Sequence, residues 1–342
     1  MSGIGVWNTA FLGDAVLTLP LLHTLRAAYP EAPIHFHVRA GLEGLFAAQP
    51  ELASVHGFDK RGHHRGLAAA YAYGRGLARQ GMDLWISAHT SLRSALVARW
   101  TSAPVRVGYS SPAWNRFFYT NLVDRAFDRM EEVERLLRLV RPLGVTELIT
   151  EPCLVLPEDA HAKAEKIVTP LKADGPVLGV HPGSTWPTKM WPLEYFADIL
   201  RRADAAGARV LILAGPNETK LAAALLEQAG NPASAMNLAG QLDLPALAAV
   251  LGRLDAYLTN DSGPMHLAWV QNTPVTAVFG PTTRSLGFFP RGRSRVMEID
   301  LPCRPCSLHG PKQCPENHHR CMREVTPDMV WESLSGQLGV TQ

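Results

Sequence analysis

One pattern limits what this chain can fold into more than any other. Short apolar runs alternate with amphipathic stretches, the alternation lapses near residue 150, and then it starts again. The runs GIGVWN, PIHFHV (33–38), MDLWIS (82–87) and PVRVGY (104–109) read as strands, with helical periodicity over 66–80 and 131–141. In AVLTLPLLHTLRAAYP, Val16, Leu17, Leu21, Leu22 and Leu25 recur with the 3.6-residue period of a helix that buries one face. Alternating β and α predicts a parallel sheet with helices on both faces. Gly and Pro punctuate GVTELITEPCLVLPEDA (144–160), after which PVLGVHPGS, ARVLILAG, DAYLTN and PVTAVFG read as strands and 192–206 and 217–229 as helices. At 342 residues the chain exceeds what a single core serves. The expectation is therefore two doubly wound α/β domains, 1–158 and 159–326, each open to a ligand at its strand carboxyl ends. Thr326 and Pro327 form a cap and first position for a last helix, 327–338, a candidate to pack back on the first domain.

Hydrophobic residues make up 46% and charged residues 19%, which excludes wholesale disorder. No apolar run approaches the ~18 residues of a membrane span. The N-terminus does not read as a secretory signal, so a cytoplasmic location is expected. The net charge of +2 hides an uneven distribution. Residues 60–129 hold eleven Lys or Arg against Asp83, Asp124 and Asp128, whereas residues 1–59 hold only Arg26 and Arg39 against five acids. Such an excess either focuses a positive field on an anionic partner or is a plain solvated face.

Four of the five cysteines cluster as Cys303, Cys306, Cys314 and Cys321, with His309, His318 and His319 between them. One C-x-x-C plus two thiols could fill a tetrahedral metal site. The spacing is irregular and lacks a second C-x-x-C, so reduced structural thiols in a Pro-rich loop are the favoured reading and a metal site the open alternative.

The stretch YLTNDSGPMHLAWVQNTPVTAVFGPT (257–282) holds Asp261, Ser262 and His266 within six positions. A serine nucleophile would need G-x-S-x-G, but Asn260 and Pro264 occupy the glycine positions. A binding role asks for less. A strand ends at Thr259 and a helix begins at Ser262, and its free amides, hydroxyl and dipole suit a diphosphate. Gly263 admits close approach, and His266 lies one turn in. The plainer alternative is an N-cap with a core histidine. A second stretch, VHPGSTWPTKMWPLEYFADIL (180–200), places Gly183, Ser184 and Thr185 after a strand and Lys189 beyond them. Hydroxyls, amides and one fixed lysine meet the needs of a leaving diphosphate. In AGPNETKLA (214–222), Glu218 stands at another strand end, where a carboxylate could hold ribose hydroxyls.

Together, NDSGPMHLA…TPVTAVFGPT, HPGSTWPTKMWP and LGDAVLTLPLLHTLRAAYP resemble the ADP-heptose–lipopolysaccharide heptosyltransferases of glycosyltransferase family 9, heptosyltransferase II-like members included. The Cys-rich tail is similar to theirs as well. The resemblance implies a GT-B architecture, two Rossmann-like doubly wound domains facing across a cleft, with the acceptor in the N-terminal domain and the donor in the C-terminal one. It implies inverting transfer of heptose from an ADP-sugar to the inner core of lipopolysaccharide. The acceptor would be an anionic glycolipid of the Kdo-lipid A type, met peripherally at the cytoplasmic face of the inner membrane. No cofactor is implied beyond the ADP-sugar substrate, and no nucleic acid. The sequence has no D-x-D to chelate a nucleotide-bound metal, in keeping with a metal-independent reaction.

By the same resemblance Asp14, in LGDAV, matches the catalytic base and Lys189 the donor-phosphate lysine, with Ser184 and Thr185 beside it. Asp261, Ser262, Gly263 and His266 match the donor loop, and Glu218 matches the ribose ligand more loosely. The chain departs from the family at VWNTAFLGD, which lacks a basic residue after the first strand. Lys60, Arg61 and Arg65 are the candidates for the anionic acceptor. Two alternatives remain: the same fold with another nucleotide-sugar donor, or a noncatalytic sugar-nucleotide or glycolipid binder.

Overall fold

The computed structural model describes residues 1–340. The chain divides into two compact units, Met1–Leu156 and a second beginning at Pro157. The first unit contains β1 (Ile4–Asn8), β2 (Ile34–Arg39), β3 (Ser54–Phe58), β4 (Leu84–Ser87), β5 (Val105–Tyr109) and β6 (Asn121–Val123). They form one parallel sheet in the order β3-β2-β1-β4-β5-β6. The second contains β7 (Val177–His181), β8 (Arg209–Ile212), β9 (Ala235–Asn237), β10 (Ala256–Asn260), β11 (Val275–Val278) and β12 (Ser294–Met297). Their parallel order is β12-β11-β10-β7-β8-β9. Counted from its own first strand, each sheet has the order 3-2-1-4-5-6 of the doubly wound fold, so the expected α/β class holds.

The eight strands expected from sequence are the interior strands of the two sheets. β1, β4, β7, β10 and β11 bury every residue, which is why they read as unbroken apolar runs. The four edge strands, β3, β6, β9 and β12, are not among those expected. Most of their residues are partly exposed, so neither apolar run nor alternation marks them. Helices cover the sheets with one apolar side each. Leu193–Ala205 buries Phe196, Ile199, Leu200 and Ala203. The last helix, Pro327–Leu338, lies in the second unit, where Ser333 meets Thr276 Oγ1 at 2.9 Å and Asp328 pairs with Arg202 at 2.7 Å.

In the first unit Trp7, Trp85, Phe58 and Tyr73 surround a group of histidines on β2 and β3. His37 stacks on His56 with centroids 4.9 Å apart, and the Ser54 hydroxyl lies 2.7 Å from both His35 Nδ1 and His56 Nε2. Burial lowers the pKa of all three rings, and that of His37 well below the ordinary value. An unfolded histidine takes up a proton near pH 6.5. Just below that pH the unfolded chain therefore binds more protons than the folded one, and stability falls as pH falls. The melting temperature is expected to decline from about pH 7 to about pH 5, and His56→Gln, with one titrating ring fewer, to flatten the decline. A melting temperature constant over that range would contradict this account.

Candidate active site

A doubly wound sheet opens a crevice where two adjacent strands send their crossovers to opposite faces. In the second unit that point lies between β7 and β10. The Asn260 amide joins the loops that leave them: Nδ2 donates to the carbonyls of Pro182 (2.9 Å) and Gly183 (3.2 Å), and Oδ1 accepts the Trp191 N–H (2.9 Å). This join brings Lys189, at the end of the 3₁₀ turn Pro187–Lys189, to Asp261 just past β10. Lys189 Nζ lies 2.6 Å from Asp261 Oδ2, with both side chains nearly buried (11% and 12% exposed). The same oxygen accepts the Thr282 hydroxyl at 2.6 Å.

Ser262 stands at the N-cap of the helix Gly263–Val270, but its hydroxyl does not bond to the helix amides. It lies instead 3.2 Å from Thr259 Oγ1 and 3.4 Å from His181 Nδ1. His181 Nε2 meets Glu218 Oε2 at 3.1 Å, and that carboxylate also accepts the Gly215 N–H at 2.8 Å. The bond to His181 chiefly holds the Glu218 pKa below its ordinary value. Gly183 lets this happen, because a Cβ there would stand 2.0 Å from Glu218 Oε1. Ser184 is half-buried and Thr185 exposed on the same loop. His266 is buried, and burial lowers its pKa to about 4 against the opposing pull of Asp261. It is therefore neutral at pH 7, and its Nδ1 has no hydrogen-bond partner among the described residues.

The Cys-rich segment braces this region. Cys306 N–H donates to Pro281 O (2.8 Å), His319 Nε2 lies 2.8 Å from Thr188 O, and Cys321 packs by Gly280. Cys303 Sγ and His318 Nε2 are 4.0 Å apart. Among the described residues no three His, Cys, Asp or Glu side chains are arranged to hold a metal ion.

In the first unit the switch point lies between β1 and β4, where Thr9 Oγ1 and His89 Nδ1 are 3.4 Å apart. Asp14 sits here, but not as the cap of the helix Leu12–Leu17: Phe11 holds that position, and the Asp14 carboxylate accepts its N–H at 3.0 Å. A capping carboxylate is expected to have a lowered pKa, yet burial outweighs that bond and the charges of Arg125 and Lys60, and the pKa is raised. Lys60 Nζ donates to Thr9 O at 3.0 Å. Arg61 and Arg65 stand exposed in the turn beyond it. Burial, with Lys60, Arg125 and Arg93 adding to it, lowers the His89 pKa to about 4. The Nε atoms of Arg93 and Arg125 are buried without a partner among the described residues, although Arg125 pairs with Glu132 at 2.7 Å.

Sequence reasoning missed His181, Thr282, Arg93 and Arg125. His181 ends β7 and Thr282 follows β11, so their place at strand carboxyl ends was the available signal. Arg93 and Arg125 belong to the basic stretch, in which nothing local separates them from the exposed arginines.

Two doubly wound units of one strand order are the fold of a GT-B glycosyltransferase. Residues 70–318 match the model of glycosyltransferase family 9 (heptosyltransferase), and the chain belongs to that family. It is 26% identical to lipopolysaccharide heptosyltransferase 2 of Escherichia coli K12, over 97% of each chain. Its fold is shared with a family 9 glycosyl transferase from Veillonella parvula (TM-score 0.87, 24% identity, 98% of this chain and 96% of that one). It is shared too with E. coli ADP-heptose lipopolysaccharide heptosyltransferase II (TM-score 0.80, 22% identity, 98% of each chain).

Proposed function

We propose that the chain is an inverting, metal-independent glycosyltransferase that moves heptose from ADP-heptose to the inner core of lipopolysaccharide. The observation that carries this reading is the Lys189–Asp261 pair at the N-terminus of the helix Gly263–Val270, in a chain of family 9. An ammonium and helix amides suit a diphosphate, and they stabilise it most as the C1–O bond breaks and charge collects on the β-phosphate. In this reading Gly183, Ser184, Thr185, Lys189, Ser262 and Gly263 receive the diphosphate. Glu218 receives the ribose, and Asp261 and His266 meet the sugar.

Asp14 takes the proton of the acceptor hydroxyl, and the raised pKa makes its carboxylate a better base than an ordinary aspartate. Lys60, Arg61 and Arg65, with Arg93 and Arg125, receive the carboxylates and phosphates of a Kdo-lipid A acceptor. The site of action is the cytoplasmic face of the inner membrane, with the enzyme held peripherally. No helix among the described residues is long and apolar enough to cross a membrane.

Calorimetry with ADP, UDP, GDP and CDP, followed by a transfer assay with ADP-heptose and a Kdo-lipid A acceptor, tests the reading. ADP is expected to bind best, transfer to survive EDTA, and neutralising Lys60, Arg61 and Arg65 together to raise the acceptor KM. A preference for UDP or GDP would remove the heptose assignment. Loss of turnover on chelation, with the fold intact, would remove metal independence.

A further inference from the structure

Asp261 accepts two strong donors on one oxygen, and the donor-site reading accounts only for Lys189. We propose that Thr282, anchored by Arg304, is a positioning residue that keeps Asp261 in place when Lys189 turns to the diphosphate of the donor. The inference rests on the donor-site reading.

A diphosphate carries more negative charge than one carboxylate and competes for the ammonium. Once Lys189 is engaged there, Asp261 is a nearly buried carboxylate that has lost the cation holding it in place. Thr282 is the donor that cannot follow the ligand. It is buried (2% exposed), and its backbone carbonyl accepts from Arg304 Nη2 at 2.8 Å. That guanidinium, 3% exposed, also donates to the carbonyls of Phe279 (3.1 Å), Gly280 and Ile299 and pairs with Glu298 at 2.8 Å. One side chain thus fixes four backbone carbonyls, three of them in the turn 279–282 that leaves β11. The turn is rigid at the point where the Thr282 hydroxyl reaches Asp261. The hydroxyl is neutral, so it does not compete with Lys189 for the phosphate; it only holds the carboxylate.

The test compares wild type with Thr282→Val, which keeps the shape and removes the donor, and Thr282→Ser, which keeps the donor. With saturating ADP-heptose, Thr282→Val is expected to lose about tenfold or more in kcat, the scale of one hydrogen bond to a charged group. Donor KM and ADP affinity are expected to stay near wild type, the melting temperature to fall modestly because the bond is already present in the free enzyme, and Thr282→Ser to restore most of kcat. A purely structural threonine would lower the melting temperature alone and leave kcat, measured below the melting range, near wild type. The proposal is overturned if Thr282→Val turns over like wild type, if the loss lies only in donor KM, or if Thr282→Ser is as slow as Thr282→Val. Should Thr282→Val melt early, Thr282→Ala against Thr282→Ser makes the same comparison. A wild-type protein that neither binds ADP nor transfers heptose would sink the donor-site reading, and this inference with it. Normal wild-type turnover with an unaffected valine variant would sink this inference alone.

Discussion

Replacing Asp14 by Asn is expected to lower kcat by ~10²–10⁴-fold while the protein folds and binds ADP as before, the loss typical of a missing general base. The substitution suits the local structure. Asp14 is the third residue of its helix, and its carboxylate accepts the Phe11 N–H. The Asn carbonyl can accept the same bond, but it cannot take a proton. Burial raises the Asp14 pKa, so the charged form is disfavoured in the folded protein. At neutral pH the ionised carboxylate therefore costs stability, and Asn should melt at or slightly above wild type. The same shift sets a pH dependence. The base works when ionised, so wild-type kcat should fall as pH drops through a value above the ordinary carboxylate range, and Asp14→Asn should lack that limb. Measuring kcat against pH for both proteins is the check. Near-normal turnover in Asp14→Asn would leave the reaction without this base.

Lys189→Ala is expected to lower kcat by roughly 10²-fold or more, as other losses of a group that meets developing charge have done. Lys189 meets that charge on the leaving diphosphate, and its interaction is stronger in the transition state than in the ground state. A change confined to donor KM would mean that it binds both states equally. The variant has a second expected effect. Removing one partner of a nearly buried ion pair costs ~3–5 kcal/mol when the other charge is stranded. Asp261 keeps the Thr282 hydroxyl, so a cost toward the lower end of that range is expected, visible as a lower melting temperature. Kinetics therefore need to be read below the melting range, with donor kcat and KM determined separately.

How far the site was legible differs between its parts. Lys189, Asp261, Ser262 and Glu218 could be singled out as candidates because each lies in the segment that follows a strand easy to read, and loops at strand carboxyl ends are where doubly wound folds bind ligands. Their partners were another matter. Lys189 and Asp261 are 72 residues apart in sequence and 2.6 Å apart in space, and His181 lies 37 residues from Glu218 and 3.1 Å away. Residue type alone suggested a phosphate lysine and a ribose carboxylate, not that each is already engaged by a neighbour. The direction of the Asp14 pKa went the same way. A carboxylate at a helix start suggests a lowered value, and only the surroundings that bury it reverse the sign. Residues 113–118 are also mixed in a way the run AWNRFF does not reveal, with Asn115 buried beneath exposed Trp114 and Phe117.

What the sequence by itself determined is the interior of each sheet. Strands such as β1, β7 and β10 are buried throughout, so their side chains must be almost uniformly apolar, and that demand is written in the residues themselves. The tertiary structure decided the borders. β3, β6, β9 and β12 pair on one side only and are partly exposed, so their composition is little constrained; they become strands because a neighbour offers its backbone. The same holds for the Asp261 carboxylate, shared between Lys189 and Thr282. Local chemistry chooses the residue, but the register of β7, β10 and β11 decides which side chains meet, and register is a property of the folded sheet.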